Sequence, residues 1–150
     1  DLGAVGPVLR GSGHAVDTRC TGYGAYDELD FKPVVRNESD CYARCMVRAE
    51  ELFTSLDLVE KAIDRIPAGD ILTKVRGNPT GEFHARAEQP RGEVIHYVKA
   101  NGKKNLVRHR VRTPTLANVP PLVHMLAGCE LADVPVIVLT IDPCIGCMER

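Results

Sequence analysis

The chain has no apolar run long enough to cross a bilayer. The longest, VPVIVLTI at 134–141, is less than half of the roughly 20 residues a spanning helix needs. It has no excess of positive charge, with 19 Lys and Arg against 20 Asp and Glu, so the chain as a whole does not draw nucleic acid. Aromatic residues are scarce, at 5%, which leaves little surface for stacking bases. The first ten residues, DLGAVGPVLR, show neither a starting Met nor the basic-then-apolar pattern of a secretory signal. The expectation is therefore an excised segment of a longer protein from a reducing compartment. What is there, 44% apolar and 26% charged residues in 150, has the balance of one globular domain or part of one. Six cysteines in a reducing compartment point to metal or redox roles before disulfides.

Residues 1–36 are full of turn formers and read as loops and short strands. LRGSGH at 9–14 lacks the glycine spacing of a dinucleotide loop, so no nucleotide is expected. Between about 40 and 66, apolar residues recur at Tyr42, Cys45, Met46, Ala49, Leu52, Phe53, Leu56, Val59, Ile63 and Ile66. That spacing of three and four predicts one long amphipathic helix, capped by Asn37 or Ser39 and stopped by Pro67. Cys41 and Cys45 share a face of it beside the apolar stripe and read as packing residues. Residues 68–90 read as a connector rich in Gly, Pro and charge. Asn101-Gly102, between two β-rich runs, predicts a hairpin over about 92–112, because both positions of its turn must tolerate positive φ. Arg108, Arg110 and Arg112 alternate along its second strand; with only Tyr97 to stack, that basic face reads as solvated or subunit-facing. A short helix is expected over about 119–128, after Pro120-Pro121 and ending near Gly128. Residues 134–141 are expected to form a buried C-terminal strand. The fold class is α+β.

The chain closes on IDPCIGCMER, and its Cys-x-x-C pair admits three readings. A redox dithiol needs a helix N-terminus after the first Cys, and too few residues follow Cys147 for one to be expected. A structural zinc site needs four donors, and there is no second Cys-x-x-C. Two soft thiolates also suit half of a nickel-type site, completed by another segment.

Five blocks in order decide between these: GPVLRGSGHAVDTR (6–19), DCYARCMVRAEELFTSLDLVEKAIDRIP (40–67), EQPRGEVIHYVKANG (88–102), RTPTLANVPPLVHMLAG (112–128) and ADVPVIVLTIDPCIGCMER (132–150). Together they resemble the large subunit of the membrane-associated, energy-converting [NiFe] hydrogenases, which is related to the 49 kDa subunit of respiratory complex I. The resemblance covers nearly the whole chain. The complex I branch lacks the metal cysteines, whereas DPCIGC resembles the hydrogenase branch.

The resemblance implies that Cys144 is a terminal nickel ligand and Cys147 bridges nickel and iron, with CO and CN on the iron. It implies that Arg91, in the block's E-x-P-R-G pattern, stands over the metal site with its charge beside it. Asp142 would hold that arginine by a charge-assisted hydrogen bond. Pro90 would line the same pocket and Thr115 would donate to a cyanide. Arg150 fits the end left when a maturation protease removes a C-terminal extension. The family's first Cys-x-x-C and its proton-relay glutamate lie upstream, and Cys41-Tyr-Ala-Arg-Cys45 has a different spacing. This chain alone is therefore expected neither to build the centre nor to turn over H2. The implied partners are an iron–sulfur small subunit, integral membrane subunits, ferredoxin as electron donor, and a nickel chaperone with the protease. The implied place is peripheral, on the cytoplasmic face of a membrane. A complex I-like quinone-site or assembly module and a structural zinc domain stand as alternatives.

Overall fold

The computed structural model describes residues 2–149; Arg150, the expected processing end, lies outside them. The long helix is present as α2, Cys41–Arg65, after a single short turn of helix, α1, at Pro7–Arg10. Its cap is Asp40, whose carboxylate accepts the Ala43 N–H at 2.7 Å, and not Asn37 or Ser39. Ser39 instead takes a left-handed φ of 59°, which sets Asp40 at the mouth of the helix. Ile66, which precedes Pro67, is extended because the proline ring disfavours a helical residue before it.

The face that α2 buries is not its apolar stripe. Ala43, Arg44, Val47 and Leu58 point inward, while Leu52, Leu56, Val59, Ile63 and Ile66 are exposed and Phe53 is 74% exposed. Cys45 is exposed and Cys41 lies half-buried with its Sγ 3.1 Å from an Arg44 nitrogen, so neither is the core residue expected.

Three antiparallel strands follow in the order β1 (Thr80–Gln89), β2 (Gly92–Asn101) and β3 (Arg108–Arg112). β1 occupies ten residues toward the end of what the sequence presents as a connector. The tight turn is not Asn101-Gly102. β1 and β2 pair from Thr80↔Asn101 to Gln89↔Gly92, so the two-residue turn is Pro90-Arg91. Gln89-Pro90-Arg91-Gly92 carries proline at the second and glycine at the fourth turn position, a signature Asn-Gly overshadows. β2 and β3 do pair, but through a longer loop, 102–107, and the Gly102 N–H bonds back to Pro79 at 2.9 Å.

The N-terminal 36 residues carry no strand among the described residues. They form α1 and two 3-10 turns, Thr18–Thr21 and Tyr26–Glu28. Two short helices, α3 (Pro114–Ala117) and α4 (Val119–Leu126), follow the sheet, the latter close to its expected bounds.

Residues 134–140 are helical: α5, Val134–Thr140, replaces the expected buried strand. Pro135 sits in its first turn, where a missing N–H costs nothing. A short apolar run bounded by Asp133 and Asp142 does not distinguish strand from helix by period. The burial does: Ile137, Thr140 and Ile141 are buried, whereas Val136 and Leu139 are exposed, so one face packs and not two. A last turn of helix, α6 at Ile145–Met148, follows the first cysteine of the pair where no helix was expected.

α2 packs on α1 and α5, and α3 on β2 and α6. One close approach fixes the N-terminal loop to the β1–β2 turn. A Cβ on Gly6 (φ 67°) would lie 2.4 Å from Gly92 Cα, and Gly92 takes φ 127°, so only backbone fits between them.

Candidate functional site

The β1–β2 turn presents Arg91 to the chain's end. Its Nε donates to the main-chain carbonyl of Asp142 at 2.7 Å and lies 3.1 Å from Oδ2, while Nη2 donates to Oδ1 at 3.4 Å. Asp142 follows α5 directly and takes a left-handed φ of 52°, which turns the chain out of the helix toward the cysteines. The Cys147 and Met148 N–H groups both donate to the Cys144 carbonyl, closing the single turn of α6.

The two thiols interact. A hydrogen bond from the Cys147 thiol, then one from its backbone, hold Cys144 below the ordinary thiol value of 9.0, with Arg91 adding in the same direction. Burial, followed by the pairing with Cys144, pushes Cys147 up. Thr115, fully buried, accepts the Cys144 N–H at 3.4 Å on its Oγ1, and its hydroxyl acts on the Cys147 thiol in the opposite, lowering direction. Thus Arg91, Asp142, Thr115, Cys144 and Cys147 converge. Pro90 lines a cavity of about 410 Å³ with Arg48, Glu51 and Glu88.

Several site neighbours carry no motif. Thr113 Oγ1 donates to the Cys147 carbonyl at 2.5 Å. Asn118, fully buried, accepts the Val5 N–H at 2.9 Å and donates to the Val5 carbonyl at 3.2 Å and the Arg91 carbonyl at 3.5 Å. Arg48 on α2 also reaches Asp142, its Nη1 lying 3.5 Å from Oδ2. Part of the cavity wall belongs to a buried ionic cluster centred on Arg10, which faces Asp17 at 3.0 Å, Glu51 at 2.8 Å and Glu88 at 2.8 Å, with Arg19 on Asp17 at 2.7 Å. The available signal was the break that Arg44, Arg48 and Glu51 make on one side of α2, at spacings of four and three.

The six cysteines are free thiols. Among the described residues, no three His, Cys, Asp or Glu gather as a metal site. No helix of the described residues is long and apolar enough to cross a membrane.

The architecture is shared with one chain of a solved respiratory membrane complex. The chain aligns over its whole length with 43% of a chain in the structure of the membrane-bound sulfane sulfur reductase, an archaeal respiratory membrane complex, at TM-score 0.88 and 34% identity. It belongs to the family described as respiratory-chain NADH dehydrogenase, 49 Kd subunit, which matches residues 1–78 and 71–150. It is 43% identical over its whole length to the carbon monoxide-induced hydrogenase of Rhodospirillum rubrum, covering 42% of that protein. It is 40% identical to the alpha subunit of the membrane-bound hydrogenase of Pyrococcus furiosus, covering 39% of it. Over 97% of the chain it is 39% identical to an NADH-quinone oxidoreductase subunit of Herpetosiphon aurantiacus, covering 41% of that protein. The chain thus spans about two-fifths of the length of these relatives, and its kinship is with subunits of oxidoreductases.

Proposed function

We propose that this chain is the thiol-bearing part of the catalytic subunit of a [NiFe] hydrogenase, supplying Cys144 and Cys147 as half of the nickel ligands. The observation that carries the reading is the convergence of those two thiols beside the Arg91–Asp142 pair. The donor set fits: thiolates are soft ligands suited to nickel, and the lowered Cys144 value favours the deprotonated form a metal needs. Two further donors come from the part of the subunit outside this chain. When bound, a nickel–iron centre with CO and CN ligands supplies the reversible interconversion of H2 with two protons and two electrons.

The chain's own residues prepare the place. Arg91 keeps a permanent positive charge beside the thiols, stabilising negative charge there. Asp142 fixes the guanidinium at three contacts, so that charge need not reorganise. Thr115 orders Cys144 through its N–H. Electrons from ferredoxin through an iron–sulfur small subunit, anchorage to membrane subunits on the cytoplasmic face, and nickel insertion followed by C-terminal processing complete the reading.

The test is metal analysis of the full-length subunit, matured in a competent host. Nickel and iron with infrared bands of diatomic ligands are expected; protein without nickel sinks the proposal. Arg91→Lys should keep the metal and lose most turnover, because a point charge on a flexible stem does not reproduce the fork; unchanged turnover removes Arg91 from the mechanism. The similarity to NADH-quinone oxidoreductase subunits favours, as a second reading, a quinone-site or assembly module that has kept two cysteines. Quinone-dependent activity in a nickel-free complex would establish it. A structural zinc domain would instead show one zinc per chain that Cys144→Ser removes.

A further inference from the structure

We propose that Arg48 is a positioning residue of the thiol site: it shares the Asp142 carboxylate with Arg91 and thereby sets where Arg91 stands relative to Cys144 and Cys147. For turnover this rests on the hydrogenase reading; for geometry it does not.

Asp142 sits where a side chain other than glycine's is crowded, at φ 52°, and such a residue persists when its surroundings hold it. Its N–H donates to the Leu139 carbonyl at 2.9 Å, and its own carbonyl is taken by Arg91. Its carboxylate lies between two guanidiniums from different elements. Arg91 Nε stands 3.1 Å from Oδ2 on the turn side, and Arg48 Nη1 stands 3.5 Å from the same oxygen on the helix side.

Arg48 holds a second point on the same segment. Its Nη2 donates to the Thr140 carbonyl at 3.2 Å. One turn earlier on α2, Arg44 Nε donates to Thr140 Oγ1 at 2.9 Å. Two successive turns of α2 therefore grip the C-terminal end of α5, where carbonyls lack partners and cations are favoured. The grip spans buried Ile141 and ends at Asp142, the residue that directs the chain to the cysteines.

Arg48 is poorly served in return. Its Nε is buried without a hydrogen-bond partner among the described residues, and burial draws the guanidinium below its ordinary value, with Asp142 and Glu51 opposing. A desolvated cation with an unmatched N–H is unfavourable for its own sake. Its placement is accounted for by what it holds. A lysine retains the charge but not the two-pronged geometry that reaches Thr140 and Asp142 at once.

The test uses the full-length subunit in its assembled complex, with Arg48→Ala, Asp142→Asn and the double variant. If Arg48 acts through Asp142, each single change lowers H2 turnover by about tenfold or more, and the double is no worse than the poorer single. Nickel content stays at the wild-type level, and the diatomic-ligand infrared bands of the two single variants shift in the same direction. A structure of the Arg48→Ala complex shows the Arg91 guanidinium displaced from the Asp142 carboxylate. Arg48→Lys recovers part of the turnover. A double variant whose loss is the product of the single losses overturns the proposal, as does an Arg48→Ala complex in which Arg91 and Asp142 keep their places. Should Arg48→Ala fail to assemble, Arg48→Gln, which keeps an amide donor on a shorter side chain but no charge, carries the same expectations. A nickel-free wild-type complex would count against the hydrogenase reading alone, since the displacement of Arg91 still decides this one.

Discussion

Cys144 and Cys147 lie within one turn of chain, yet their thiols are displaced in opposite directions from the ordinary value. The lowered group is Cys144, so below the ordinary value of 9.0 its thiolate fraction exceeds that of Cys147, which is raised. In metal-free protein, iodoacetamide should label Cys144 first as pH is raised, with Cys147 following at higher pH; mass spectrometry of the C-terminal peptide reads the order. Arg91→Ala should move the Cys144 onset upward, because Arg91 contributes to the lowering. At this scale the sequence was informative where residues stand in blocks. The Asp142–Arg91 pairing expected from E-x-P-R-G and DPCIGC is present as contacts. Arg48 and Asn118 were not legible: a charged residue on an amphipathic helix and an Asn shortly before Pro-Pro look like a solvated face and a cap. Only the tertiary arrangement turns them inward.

α2 and α5 show what periodicity can and cannot decide. The three-and-four spacing located α2 within a residue or two at either end, but period alone does not say what an apolar stripe faces. Here Leu52, Phe53, Leu56, Val59 and Ile63 lie on the open side, and an exposed apolar patch of that kind drives association. The 150-residue chain should therefore self-associate on sedimentation, and Phe53→Ser with Leu56→Ser should shift it toward monomer; a wild-type chain that stays monomeric at high concentration contradicts this. For α5 the β-branched run pointed to a strand, and packing against α2 overrode propensity, as it does for short apolar segments. The hairpin over 92–112 is present as β2 and β3, although a loop over 102–107 joins them in place of a two-residue Asn-Gly turn. The strand missed was β1, whose tight turn to β2 at Pro90-Arg91 is favoured because the proline ring presets a dihedral of the turn.

Across the whole molecule, the largest fully buried side chain is not apolar. Arg10, with no solvent exposure, stands among Asp17, Glu51 and Glu88 and ties α1, the first 3-10 turn, α2 and β1 together. Arg10→Ala leaves three carboxylates without their shared cation and should cost about 3–5 kcal/mol in denaturant unfolding. The cluster also gives stability a pH slope. Burial pushes the Glu51 carboxyl above its ordinary 4.5. The folded chain then holds that proton more tightly than the unfolded one, so the group's contribution is complete below 4.5 and is lost as pH rises through the folded value. Glu51→Gln should flatten that part of the stability–pH curve.

The contact of Gly6 with Gly92 has a consequence for how this molecule can vary. Two stretches far apart in the chain meet with no thickness to spare, and one of them is the base of the turn that carries Arg91. Neither glycine can drift while the other compensates, since main chain stands within 3 Å of an added Cβ on each side, and trimming the Val5 side chain, which also crowds Gly92, would not remove it. In a library randomised at both positions, selection for a working site should return glycine twice and no rescuing pair. Alanine at either should lift the arginine away from an otherwise intact thiol pair. The site's tolerance is thus set by a spacing of backbones that no choice of side chain can restore.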